Sequence, residues 1–347
     1  MIRRAILLSL LSLLPVGCTA TPATSPSPAG GQTATVAVAS PTQAATPTPP
    51  PAATAAPTAA LIPLPSFAQL SSPSGTAVWA LVAGTRLFRS TDRGTSWTER
   101  PVPAPLTNPE IAFTSESEGW IAIAGAAAAQ CGQQTIAISH TSDAGATWQA
   151  LAPTGIAPAQ CKEGLTFSDA QHGFLSAWDP NGPPLIYRSG DGGKTWSASR
   201  PLPDPPGFTT TAAGFALRAG PVKAFGQALL VEAVGQTTNG QQRYVFISGD
   251  GGATWSHAAD APDPDSTVVF VTGSRWFQLS TGAVPKETTD SGATWHAFTT
   301  DYQQAAPVAP AIVFGDAQTG YATVRGAIQR TVDGGAHWTT IRTPGTF

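Results

Sequence analysis

An eight-residue phrase, [S/T]-x-D-x-G-x-x-W, recurs six times along the chain: Ser90–Trp97, Thr141–Trp148, Ser189–Trp196, Ser248–Trp255, Thr288–Trp295 and Thr331–Trp338. Tryptophan is scarce in proteins, so six matches at one offset from an aspartate exclude coincidence and make this a repeat protein. Repeats of this kind stack into one continuous core, so the 347 residues are expected to hold one folded domain and not the two that length alone suggests. The successive aspartates, Asp92, Asp143, Asp191, Asp250, Asp290 and Asp333, stand 40 to 59 residues apart, a unit that suits four short strands.

Each unit alternates apolar and polar residues in short runs broken by Gly, Pro and Asp, which is an all-β pattern. Residues 160–203 show it best, with strands expected at Leu165–Phe167, Gly173–Trp178, Leu185–Ser189 and Thr195–Ala198. The repeated phrase falls at the turn between the third and fourth strands. There Gly supplies a positive φ and the Asp carboxylate can accept backbone N–H groups of its own turn. The Trp that follows is expected to pack between neighbouring sheets, where burying about 200 Å² is worth roughly 5 kcal/mol gross. A second phrase, F-x-[D/S]-x-x-x-G-[W/F/Y], at Phe113–Trp120, Phe167–Phe174 and Phe314–Tyr321, reads as the turn between strands one and two, with its aromatic in the core. Trp79 and Trp276 are expected to fill the same place in two other units.

The expected fold is therefore an all-β, six-bladed β-propeller of four-stranded antiparallel blades, near 66–105, 109–155, 160–203, 206–260, 266–300 and 308–344. Seven blades remain an alternative if one degenerate blade lacks the phrase and takes strands from both ends. The repeated phrase resembles the Asp-box, or bacterial neuraminidase repeat. Its pairing with the second phrase, over roughly residues 66–347, resembles the photosystem II assembly and stability factor family of β-propellers. The resemblance implies the fold. For function it implies less, because Asp-boxes also occur in sialidases, xyloglucan-degrading glycosidases and sortilin-type receptors.

The N-terminus reads as an export signal. Arg3 and Arg4 precede an apolar run from Ala5 to Val16, too short to span a bilayer core of about 30 Å. Gly17-Cys18 follows and resembles a bacterial lipoprotein signal, with Cys18 lipidated and 1–18 as the signal segment. Pro15 replaces the usual Leu, so ordinary cleavage near Ala20, with secretion, is the alternative. Lipidation of Cys18 would leave Cys131 and Cys161 as an even pair for a disulfide in an oxidising compartment. Residues 19–60 are nearly all Thr, Pro, Ala, Ser and Gly and cannot bury enough apolar surface to order themselves, so they are expected to form a disordered tether. The folded domain then covers 61–347, on the cell surface.

A net charge of −3 with no basic stripe excludes a nucleic-acid footprint. The five histidines are scattered without ligand spacing, so no metal and no cofactor are expected. A sialidase would need an Arg-Ile-Pro segment, which is missing, and a Tyr–Glu nucleophile. The four tyrosines, Tyr187, Tyr244, Tyr302 and Tyr321, mostly have structural places in the repeat. Glu163, Asp179, Glu232 and Asp301 could line the face bearing the two-to-three loops, with no evident pairing. Arg89, Arg188 and Arg330, three residues before a repeat Asp, form either a basic rim or a solvated strand edge. The reading is a non-catalytic, monomeric propeller that binds a protein or glycan partner or serves as an assembly factor, touching the membrane only through its lipid. A glycoside hydrolase is the alternative. Candidate ligand contacts are Trp178, Asp179 and Arg243.

Overall fold

The structure is a computed structural model and describes residues 68–103, 106, 109–125, 134–158, 160–179, 182–209, 217–237, 240–279, 284–302, 311–324 and 327–344. Cys18, the tether at 19–60 and Cys131 lie outside the described residues. All regular structure described is strand, in six antiparallel sheets, each contiguous in sequence. Blade one is β1 (Ala68–Ser71), β2 (Val78–Val82), β3 (Arg86–Ser90) and β4 (Thr98–Arg100). Blade two is β5 (Pro109–Phe113), β6 (Gly119–Ala124), β7 (Ile136–Thr141) and β8 (Gln149–Leu151). Blade three is β9 (Cys161–Phe167), β10 (Gly173–Asp179), β11 (Gly182–Ser189) and β12 (Ser197–Ala198). Blade four departs from four strands. Its first strand is interrupted at Gly220–Val222 into β13 (Leu217–Ala219) and β14 (Lys223–Phe225), both paired with β15 (Ala228–Thr237), followed by β16 (Gly240–Ser248) and β17 (Ser256–Asp260). Three residues there face two on β15, so the strand bulges. Blade five is β18 (Val268–Phe270), β19 (Trp276–Gln278), β20 (Lys286–Thr288) and β21 (His296–Ala297), and blade six is β22 (Ile312–Phe314), β23 (Gly320–Val324), β24 (Ala327–Thr331) and β25 (Thr339–Ile341).

The Asp-box turns are hydrogen-bond cages of one design. In the first, Ser90 Oγ donates to Asp92 Oδ1 (2.8 Å) and accepts from Gly94 N (2.8 Å), while the carboxylate accepts Ser96 N (2.9 Å) and Ser96 Oγ (2.6 Å). The same bonds recur around Asp143, Asp191, Asp250 and Asp290. In the sixth turn the His337 ring takes the place of the hydroxyl, 2.6 Å from Asp333 Oδ2. The turn requires two successive left-handed residues: φ is 61° and 79° at Arg93 and Gly94, 60° and 71° at Ala144 and Gly145, and 60° and 86° at Ser291 and Gly292. The other three boxes place Gly-Gly at these positions.

Blades join through aromatic triads. Phe113 of blade two stacks on Trp79 of blade one (3.8 Å, 6°) and meets the edge of Trp148 (6.3 Å). Phe167 repeats this on Trp120 (3.7 Å, 5°) and Trp196 (6.1 Å), and Phe314 sits between Phe277 (5.6 Å) and Trp338 (6.2 Å). Blade five corrects one expectation. Phe277, opposite Glu287, holds the place that Trp79 holds opposite Arg89, so Trp276 is one residue out of that register. Side chains alternate along a strand, so Trp276 faces back to blade four, packed with Leu230, Val245 and Ala259.

The innermost strand of each blade is an edge whose backbone needs partners, and side chains of the preceding blade provide them. Gln69 bridges Pro109 O (2.6 Å) and Ile111 N (3.2 Å), Ser71 Oγ accepts Phe113 N (3.0 Å), and Ser176 Oγ donates to Gly220 O (2.6 Å). Among the described residues the ring closes without a shared strand. Trp97 of blade one packs on the cluster of Tyr321, Ile328 and Ile341 from blade six and donates Nε1–H to Arg342 O (2.8 Å), while Arg330 Nη1 donates to Arg93 O (2.9 Å). The Asp-box tryptophans divide evenly in burial: Trp196, Trp255 and Trp338 are buried, and Trp97, Trp148 and Trp295 half-buried.

Candidate functional site

The hairpins between second and third strands, and the starts of first strands, share one end of the ring; the Asp-box turns share the other. On the first end, β10 finishes with Trp178 and Asp179, Trp178 lying opposite Cys161 and Asp179 opposite Gly182. The backbone of Asp179 is described; its side chain is not. Trp178 is half-buried and its Nε1–H, shielded from solvent, finds no acceptor among the described residues. Above the ring lies the Arg218 guanidinium of β13, 5.0 Å from the centroid. Arg218 is fixed by a two-pronged pair to Glu163 of β9, Nε to Oε1 and Nη2 to Oε2, each 2.5 Å. The bonds to Glu163 raise the Arg218 pKa further. With 53% of its side chain exposed, Arg218 is the outer surface of this platform and Trp178 its floor. The sequence pointed to Trp178 but not to its cover, because Arg218 comes from the next blade.

Arg243, the third candidate contact, is turned inward. Its Nε donates to Pro264 O (2.7 Å), its Nη1 pairs with Glu232 Oε1 (3.0 Å), and only 13% of the side chain is exposed. Glu232 in turn accepts Val268 N (3.0 Å), fastening blade four to blade five. Burial raises the Glu232 carboxyl above the usual range, against the pull of Arg243. Glu110 has the same role between blades two and three, accepting Gly164 N (2.9 Å) and Leu165 N (2.7 Å). Its pKa is also raised, first by burial, then by the Glu163 charge. Asp301 goes elsewhere: Oδ1 accepts Trp338 N (2.7 Å), at the sixth Asp-box.

Cys161 is the buried first residue of β9, not part of a linker, and beside it Lys162 is buried as well. Lys162 Nζ donates to Gln134 O (2.8 Å) and Gln160 O (2.6 Å), and burial pushes its pKa down to about 8. Cys131, the partner expected for Cys161, lies outside the described residues.

The arginines near the boxes are half-buried over second-strand aromatics and not a free rim. Arg89 lies opposite Trp79 with its Cζ 5.7 Å from the ring and pairs with Glu116 (3.0 Å); Arg188 lies opposite Phe174, and Arg330 opposite Tyr321. The tyrosines are hydrogen-bonded or at least half-buried, the Tyr302 and Tyr321 hydroxyls shielded with no partner among the described residues. Tyr187 Oη accepts Ala157 N (3.0 Å) and bonds Gln160 (3.2 Å), while burial raises the phenols of Tyr244 and Tyr302 and pushes Tyr321 up to about 12. A tyrosine nucleophile needs the opposite shift. Among the described residues, no three His, Cys, Asp or Glu side chains converge on a metal-sized site. Along the axis the first strands of all six blades enclose a cavity of ≈ 1230 Å³.

The sequence matches no family model and no curated protein. Several solved structures share the architecture. The α-L-arabinofuranosidase Arb93A from Fusarium graminearum, solved with an iminosugar inhibitor, is 12% identical, with 80% of this chain and 92% of that one covered and a TM-score of 0.50. YCF48 from Cyanidioschyzon merolae is 16% identical over 82% of this chain and 88% of that one (TM-score 0.47), and a YCF48 bound to D1 peptide is 17% identical over 81% and 84% (TM-score 0.42). At such identities the likeness is one of fold. The chain is a six-bladed Asp-box β-propeller whose structural neighbours include YCF48 and an arabinofuranosidase.

Proposed function

We propose that this is an exported propeller, with 1–18 as a lipoprotein-type signal ending at Cys18, 19–60 as a tether and 61–347 as the folded domain. It binds a protein or glycan partner without catalysis, at the end of the ring that carries Trp178, Asp179 and Arg218. One observation carries this reading: the glutamate side chains described near that end already hold structural partners. Glu163 is taken by Arg218, Glu232 by Arg243 and Val268 N, and Glu110 by Gly164 N and Leu165 N. A glycosidase needs two carboxylates free to meet a sugar from both sides. Arg218, by contrast, is held rigid and exposed over an aromatic ring, which suits recognition by hydrogen bonding and stacking. YCF48, solved with a D1 peptide, is one propeller that takes a polypeptide.

The test is a glycan array, a pull-down from membrane extract and a sialoside-hydrolysis screen on the full-length chain, each repeated with Arg218→Ala. Retention of one ligand by the wild type and about tenfold weaker binding by the variant, with an unchanged melting curve, is the expected result. Loss of cooperative melting in Arg218→Ala would assign the residue to the core. A second reading, glycoside hydrolysis, rests on the proximity of Glu110 and Glu163, whose charges interact. Turnover that disappears in Glu110→Gln would establish it and remove the non-catalytic reading.

A further inference from the structure

The axial cavity contains a cation that the fold does not explain. On the innermost strands, Ser71, Ala112, Thr166, Lys223, Val269 and Val313 lie opposite Trp79, Trp120, Phe174, Leu230, Phe277 and Tyr321 respectively, so they occupy one equivalent position in six blades. Directly opposed residues of an antiparallel ladder project from the same face, so each of the six points toward the next blade round the ring. Five are small or β-branched and uncharged; the fourth is lysine. Phe225, two residues on and therefore on the same face, packs with Leu230, Val268 and Phe270, so the surroundings on that face are apolar.

Lys223 lines the cavity, is half-buried, and has neither an ion pair nor a hydrogen bond among the described residues. The acids that line the same cavity do not serve it. Glu110, Glu163 and Glu232 are engaged as described, Asp316 accepts Gln318 N (2.8 Å) and Thr319 N (2.6 Å) in its own turn, and Asp265 is exposed on the linker leading into β18. Burial pushes the Lys223 amine below the ordinary lysine range, the response of a cation with no counter-charge. A cation so placed is stabilised most by an anion that enters the cavity with it.

We propose that the axial cavity is a binding site for a small organic monocarboxylate, anchored by the Lys223 ammonium. The other cation of the lining, Arg218, is matched by Glu163, so Lys223 is left to neutralise one negative charge, which fits a carboxylate and leaves a phosphate dianion half-compensated. Ala224, Phe225, Ile312 and Val313, each partly exposed, give the rest of such a ligand apolar surface to cover.

Calorimetric titration of the full-length chain with phenylacetate, with 2-phenylethanol as its uncharged analogue and with inorganic phosphate tests this. The wild type should bind phenylacetate saturably and ahead of phosphate. Lys223→Met, of similar length and without charge, should weaken phenylacetate about 10- to 100-fold, the loss of one charged hydrogen bond, and leave 2-phenylethanol unchanged. Lys223→Gln gives the same comparison should the Met variant not fold. Absence of phenylacetate binding to the wild type, equal affinity in the uncharged variants, or preference for phosphate overturns the proposal.

Discussion

The two successive left-handed residues of the Asp-box provide an internal experiment on backbone strain. At the position after the Asp, three boxes carry Gly and three carry Arg93, Ala144 or Ser291, all with φ near 60° to 76°. A residue with a Cβ in this region costs about 1–2 kcal/mol, and the stiffer unfolded chain returns about 0.4–1 kcal/mol of that. Gly251 isolates the effect, because a Cβ built there meets no atom within 4 Å. Gly251→Ala should therefore lose about 0.5–1 kcal/mol through the backbone alone. The mirror change, Arg93→Gly, should gain a similar amount: the Arg93 side chain is exposed, and its two contacts, N to Thr76 O within the blade (3.0 Å) and O from Arg330 across the ring closure (2.9 Å), belong to the backbone and survive. For a domain of this size each change corresponds to about 1–4 °C in Tm, in opposite directions. Calorimetry on the two variants and their combination reads it, and the combination should return close to wild type, because the sites lie in different blades. A more stable Gly251→Ala, or a less stable Arg93→Gly, would refute the reasoning.

The cages also predict acid sensitivity. Hydrogen bonds from the Ser96, Thr147 and Thr294 hydroxyls and N–H groups hold Asp92, Asp143 and Asp290 at about 2, below the unfolded carboxyl. Their stabilisation is thus complete above about pH 4 and lost as the pH falls toward 2; circular dichroism should show unfolding in that window, and Asp143→Asn should flatten the loss. The expected Cys131–Cys161 bridge closes a loop of roughly 30 residues. Its removal by double alanine substitution should cost about 3–4 kcal/mol in urea unfolding, and thiol titration of the denatured, unreduced chain should leave both cysteines unreactive.

The sequence carried the ring through its turns, because a cage made within eight residues is a local object that a single chain displays. It was less informative wherever two blades meet. Trp276 was misplaced by one residue because blade five lacks the Gly-aromatic phrase that marks register elsewhere, and an aromatic alone does not say which face it takes. The interruption of the first strand at Gly220-Pro221 stood in the sequence as a turn signal with no sign that the strand resumes. Glu110, Glu232 and Arg218 were illegible as partners, since they act on residues of a neighbouring blade, 36 to 55 positions away in sequence, with no fixed spacing. Lys223 had no distinguishing neighbour until the register placed it beside five uncharged equivalents.

Because every blade is a contiguous stretch and, among the described residues, the first and last share no sheet and pack through side chains such as Trp97 and Tyr321, the break in the ring falls at a junction built much like the others. The cut in the circle is therefore arbitrary. New ends could be opened at any interblade connection and the old ones joined by a short linker, giving circular permutants with the same ring, and ranking their stabilities would measure each junction in turn.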